Sequence, residues 1–76
     1  MLNLKNGAEI INMDSIAGIV LAKFRGSEYV TWNVDADGNA YWGHYFNDDL
    51  NAARIDYADR VNSAVGTKVS AAIAAL

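Results

Sequence analysis

Seventy-six residues with a net charge of −3 and no cysteine leave room for one domain, residues 1–76, and exclude disulfides and thiolate metal sites. No apolar run approaches the ~20 residues of a membrane span, so a soluble, cytoplasmic protein is expected. The charge is uneven: residues 28–59 hold seven carboxylates against Arg54, a local balance of −6, which repels phosphate backbones and argues against nucleic-acid binding.

Leu2-Asn3-Leu4-Lys5 alternates apolar and polar residues, and Asn6-Gly7 separates it from the run Ala8–Met13. Asn-Gly between two such runs predicts a small hairpin, because both residues tolerate positive φ. Asp14 to Phe24 reads two ways. As a helix, Asp14 is the N-cap and Ile16, Ile19, Val20 and Phe24 form one stripe, with Gly26 beyond the end. As a strand, Ile16, Gly18, Val20, Ala22 and Phe24 line one face, and Gly26-Ser27 turns the chain into the next strand. Gly18 and the β-branched Ile19-Val20 favour the strand.

Tyr29 to Phe46 organises the chain. Tyr-Val-Thr-Trp-Asn-Val and Ala-Tyr-Trp-Gly-His-Tyr-Phe flank Asp-Ala-Asp-Gly-Asn, a strong hairpin signal. A type I turn over Ala36-Asp37-Gly38, with Gly38 left-handed, pairs Trp32 with Trp42, Val30 with His44 and Val34 with Ala40. That register puts both tryptophans and His44 on an apolar core face, and Tyr29, Thr31, Asn33, Tyr41 and Tyr45 on a polar one. A two-residue Asp37-Gly38 loop pairs Asn33 with Trp42 and separates the two classes less cleanly.

Asn47-Asp48-Asp49 reads as a helix start, since Asn and Asp accept from free N–H groups and complement the helix dipole. Leu50, Ala53, Tyr57, Val61 and Ala64 recur at helical spacing, which predicts a helix packed on the tryptophan face. Asp56 and Arg60 stand one turn apart in the favourable order for an ion pair. Gly66 is expected to end this helix, with Thr67 capping a second one. The fold class is therefore α+β: an antiparallel meander of three to five strands with a C-terminal helix across one face, which either continues through Gly66 or breaks there into a short second helix.

Little in the chain points to catalysis. Asn33 to Gly38 matches the first half of a calcium-binding EF-hand loop, but its twelfth position is His44, where a bidentate Glu is required. His44 is the only histidine, so no imidazole or thiolate partners exist for a metal. Ser27, Ser63 and Ser70 sit in no nucleophile motif. Neither an enzyme nor a cofactor is expected.

Two surfaces are candidates for a partner. Tyr29, Tyr41 and Tyr45 with Thr31 and Asn33 form a tyrosine-rich platform, and Asp48, Asp49, Asp56 and Asp59 an acidic surface. Val69, Ala72, Ile73 and Leu76 give the tail an apolar stripe suited to an oligomer interface. The Tyr-Val-Thr-Trp run, the Gly-Asn-Ala-Tyr-Trp-Gly-His-Tyr-Phe run, Ala53 and Arg60 resemble small uncharacterised proteins of bacteria and their mobile elements. The resemblance spans Tyr29 to Arg60 and brings no activity with it; it implies an accessory or phage-related protein.

These features lead to the expectation of a small non-catalytic protein-interaction module that forms a homodimer. The alternative is an acidic inhibitor or nucleic-acid mimic, encoded by a phage or other mobile element, that occupies a basic groove of a host protein.

Overall fold

A computed structural model describes residues 3–74, with the side chains of residues 3–66. Four strands precede one helix: β1 (Glu9–Asp14), β2 (Ile19–Phe24), β3 (Glu28–Val34), β4 (Ala40–Tyr45) and α1 (Leu50–Ala74). The strands form one antiparallel meander in the order β1-β2-β3-β4. The fold is α+β, as the sequence pattern predicts.

Turn chemistry accounts for the meander. At the β3–β4 hairpin, the Gly38 N–H donates to the Asp35 carbonyl at 3.0 Å and the Asp35 N–H to the Asn39 carbonyl at 3.0 Å. Gly38 lies at φ 83°, the left-handed position that follows a type I turn. The N-terminal turn repeats this pattern: the Gly7 N–H donates to the Leu4 carbonyl, the Leu4 N–H to the Ala8 carbonyl, and Gly7 lies at φ 89°. Asn3 and Glu9 then form a single bridge, the predicted small hairpin.

The segment from Asp14 to Phe24 is only partly a strand. Asp14 Oδ1 accepts from the N–H groups of Ile16 and Ala17, and the Asp14 carbonyl accepts from Gly18. This local capping holds residues 15–18 in a turn, with Gly18 at φ 69°, so Ile16 and Gly18 are not strand residues. From Ile19 onward the alternation holds, with Val20, Ala22 and Phe24 on one face.

The sheet has two buried faces of different character. On one, Val20, Ala22, Val30 and Trp32 pack with Leu4 and Ala8 of the N-terminal turn. On the other, Ile19 and Leu21 pair laterally with Asn33 and Thr31 and lie under α1, which contacts β2 and β3. The helical stripe through Ala53, Tyr57 and Val61 thus faces the sheet, but opposite Trp32. The expected placement on the tryptophan face is wrong: the N-terminal turn already covers that face.

The helix is continuous from Leu50 to Ala74, so of the two outcomes expected at Gly66 it is continuation that occurs. Glycine lowers helix propensity by about 1 kcal/mol relative to alanine; one such residue inside a long helix does not end it. Asp49 is the cap, accepting the Ala52 N–H at 3.0 Å.

Candidate functional site

The β3–β4 hairpin carries the site, and a bulge shapes it. Val34 pairs with Ala40 and Asn33 with Tyr41, as in the expected register, but then the register slips by one: Thr31 pairs with His44 and Val30 with Tyr45. The slip falls at Trp42-Gly43, where Trp42 takes φ 52°. Glycine inside a strand often marks such a bulge, and the reason here is steric. A Cβ on Gly43 would lie 2.6 Å from Trp32 Nε1 and 2.8 Å from Tyr45 Cε1. Trp32 occupies the space that a side chain at residue 43 would need.

Two expectations fall with that slip. Trp42 is not a core residue: it is 74% exposed, whereas Trp32 is 4% exposed. His44 leaves the core face for the one that carries Thr31, where it stays exposed beside the helix, while Tyr45 crosses to pack edge-on against Trp32 at 6.1 Å. A left-handed backbone for a bulky residue costs on the order of 1–3 kcal/mol, so other contacts must hold Trp42 in place.

Arg60 supplies those contacts. Its Nη2 donates to the Trp42 carbonyl at 3.0 Å and to Asn33 Oδ1. Its Nη1 donates to the Thr31 carbonyl at 3.1 Å and to Thr31 Oγ1 at 3.0 Å. The bulge frees the Trp42 carbonyl from the ladder, and the guanidinium takes it up. The Thr31 hydroxyl, fully buried, donates in turn to Asp56 Oδ2 at 2.5 Å. Asp56 and Arg60 therefore meet through Thr31, in place of the predicted helical ion pair. Both point into the sheet because β3 offers polar partners there.

His44 completes the network, with Nδ1 2.9 Å from Asp56 Oδ2. A carboxylate only accepts, so Nδ1 carries the proton and donates. The arrangement is not a nucleophilic triad. In a triad the hydroxyl donates to histidine and the carboxylate orients the ring; here the Thr31 hydroxyl and His44 both donate to the carboxylate. No group of three or more metal-ligating side chains occurs among the described residues.

The candidate partner residues do not share one surface. Tyr41 and Tyr45 are exposed on β4, but the bulge turns them to opposite faces. Tyr29 is half-buried and Thr31 lies wholly beneath the helix. Among the aspartates, Asp49 caps the helix and Asp56 is drawn into the network. Asp48 and Asp59 are exposed. The side chains of Val69, Ala72, Ile73 and Leu76 lie outside the described residues.

The calcium-like run is a self-contained turn. The Asp35 carboxylate accepts from the N–H groups of Asp37 and Asn39 and from the Asn39 amide. Chiefly through the Asn39 N–H, these bonds hold the Asp35 carboxyl below its ordinary pKa.

Arg60 is not among the sequence candidates for a site, and Asn33 enters them only through the polar hairpin face and the calcium-like run, yet a signal for their pairing exists. Thr31 and Asn33 alternate on one strand face, while Asp56 and Arg60 share the sheet-facing side of the helix with Ala53 and Ala64. Polar residues on both facing surfaces of a contact need partners, and here they are each other's. Comparison with models of protein families, with curated proteins and with solved structures finds no match to this chain.

Proposed function

We propose that the protein is a small, non-catalytic interaction module that self-associates through the C-terminal part of its helix. One observation carries this reading: the helix is longer than the sheet that supports it. Its 25 residues span about 37 Å at ~1.5 Å per residue. Strands of 6 or 7 residues span roughly 20–24 Å. The long axis of the molecule measures 47 Å against 26 and 20 Å across. Helix therefore projects past the sheet, and the stretch Thr67–Leu76 has Lys68 as its only charge. A second copy offers the same apolar stripe to pack against, in the isologous manner of most dimers. A cytoplasmic setting belongs to this reading and rests on composition alone.

The acidic-inhibitor reading has less support. It requires Asp48, Asp49, Asp56 and Asp59 to act together on a basic groove, whereas Asp49 and Asp56 have internal work.

Sedimentation tests the proposal. The intact protein should sediment as a dimer at about 100 µM, well above the dissociation constant of an ordinary stable dimer. A variant lacking Thr67–Leu76 should sediment as a folded monomer. An intact protein that is monomeric at that concentration refutes self-association.

A further inference from the structure

We infer that the groove between Trp42 and the helix is a binding site for a basic side chain of a partner protein, arginine in preference to lysine. This surface is separate from the helix end and does not depend on self-association.

The groove is shallow and open to solvent, with a volume of about 510 Å³, and is lined by Ile19, Asn33, Trp42, Asp59, Arg60 and Ala64 among others. Its size suits one long side chain. Three features define what fits. Trp42 presents an indole at 74% exposure, and the bulge fixes its direction: Gly43 has no room for a Cβ, and Arg60 holds the Trp42 carbonyl. Bulges re-aim side chains in this way. Asp59 lines the same groove, is exposed, and has no ion-pair partner among the described residues. An aromatic face beside a carboxylate attracts a cation on both counts, and the planar guanidinium stacks better than an ammonium.

Arg60 is the obvious objection, since a cation in the groove should repel another. All four of its Nη hydrogens are engaged, by Thr31, Asn33 and Trp42. Asp56 accepts from the same Thr31 hydroxyl, so the Arg60 charge is partly offset from below. The engagement also leaves an anionic ligand no fork of donors to bind. Asp56 and Asp59 outnumber Arg60 locally, and the −6 balance of residues 28–59 extends the negative field and favours capture of a basic protein surface. The same field disfavours nucleic acid.

The bulge interrupts β4 as an edge, so main-chain pairing with the partner is not required. The contact is a side chain entering a groove.

The test is a titration of the full-length protein followed by amide and indole N–H resonances. The probes are acetyl-Ala-Arg-Ala-amide, its lysine and citrulline counterparts, and free arginine. The arginine peptide should shift the Trp42 indole and Asp59 amide signals saturably, with a dissociation constant of roughly 1–10 mM for a single side chain. The lysine peptide should bind roughly twofold more weakly and the neutral citrulline peptide at least ~fivefold more weakly. Asp59→Asn should weaken the arginine peptide roughly threefold, and Trp42→Leu should abolish the response while the other amide signals stay in place. Equal binding of arginine and citrulline peptides, shifts confined to other regions, or no response below about 50 mM overturns the proposal. Unchanged affinity in Asp59→Asn overturns the carboxylate's part in it. Free arginine binding more tightly than the peptide overturns the assignment to a protein partner. Self-association is read separately by sedimentation, so the two proposals fail independently.

Discussion

Replacing Gly43 with alanine tests the steric origin of the bulge. The added Cβ would sit 2.6 Å from Trp32 Nε1, 2.9 Å from Trp32 Cδ1 and 2.8 Å from Tyr45 Cε1. The two neighbours differ in how easily they yield. Tyr45 is 57% exposed and can swing toward solvent. Trp32 cannot, because Phe24 packs edge-on against it at 5.4 Å and the core cluster closes around it. Overpacking of this kind costs about 1–3 kcal/mol. Gly43 is not left-handed, so alanine also restricts the unfolded chain and returns about 0.4–1 kcal/mol. The net destabilisation should be about 1–2 kcal/mol, a large share of the ~4–11 kcal/mol expected of a fold this size. Urea unfolding followed by tryptophan fluorescence measures it. Adding Trp32→Leu should reduce the penalty of Gly43→Ala, because the clash is then relieved; adding Tyr45→Ala should reduce it much less. A Gly43→Ala protein as stable as the parent, or a penalty relieved only by Tyr45→Ala, refutes the account.

The remaining predictions are shorter. Trp32→Ala should cost about 3–5 kcal/mol in the same urea assay, whereas Trp42→Ala should stay within about 0.5 kcal/mol, because only the first ring is buried. Thr31→Val removes a buried hydroxyl that serves Asp56 and Arg60, and should cost about 1–3 kcal/mol by thermal unfolding despite nearly equal volume. Calcium should produce no saturable heat in a calorimetric titration, since the Asp35 carboxylate is satisfied within its own turn. The pH limits follow from two shifts of opposite sign. Asp35 is depressed in the fold by its turn hydrogen bonds; its contribution is present above the unfolded value of 3.8 and is lost as pH falls through the lower folded value. Tyr57 is raised, first by burial and then by Asp14; its contribution is present below 10.0 and is lost as pH rises through the higher folded value. Carboxyl and phenol titrations by NMR should find both displacements.

The parts of the fold legible in the sequence are those set by local chemistry. Asn6-Gly7 and Asp37-Gly38 require left-handed glycines, and both turns form with the same pair of backbone hydrogen bonds. Asp49 caps the helix where the sequence places its start. Alternation along β2 and β3 separates Val20, Ala22, Val30 and Trp32 from Ile19, Leu21 and Thr31, as the sheet requires. What pattern alone does not decide is which covering element takes which face. Both faces of β2 are apolar, so the helix and the N-terminal turn can each satisfy either. Polar chemistry breaks the tie: Thr31 and Asn33 need donors and acceptors that Asp56 and Arg60 carry and Leu4 and Ala8 do not.

The candidate site was harder to read because one residue inverted it. Alternation carries a face assignment along a strand only while the register holds, and a single bulge exchanges every residue beyond it. Up to Tyr41 the expected pairing is right. Past Trp42-Gly43, His44 and Tyr45 trade faces. The cause is a long-range contact, the space taken by Trp32 across the hairpin, which no window of β4 contains. The consequence reaches further than the strand. With the bulge, Trp42 gives up burial, its carbonyl becomes a ligand for Arg60, and His44 comes within reach of Asp56. Without it, Trp42 would face Trp32 in the core, and the helix would meet Gly43 where His44 now stands. The exposed indole, the arginine engaged on the Trp42 carbonyl and the His44–Asp56 contact therefore belong to one feature, the bulge that Gly43 permits, and a substitution at Gly43 should disturb all three together.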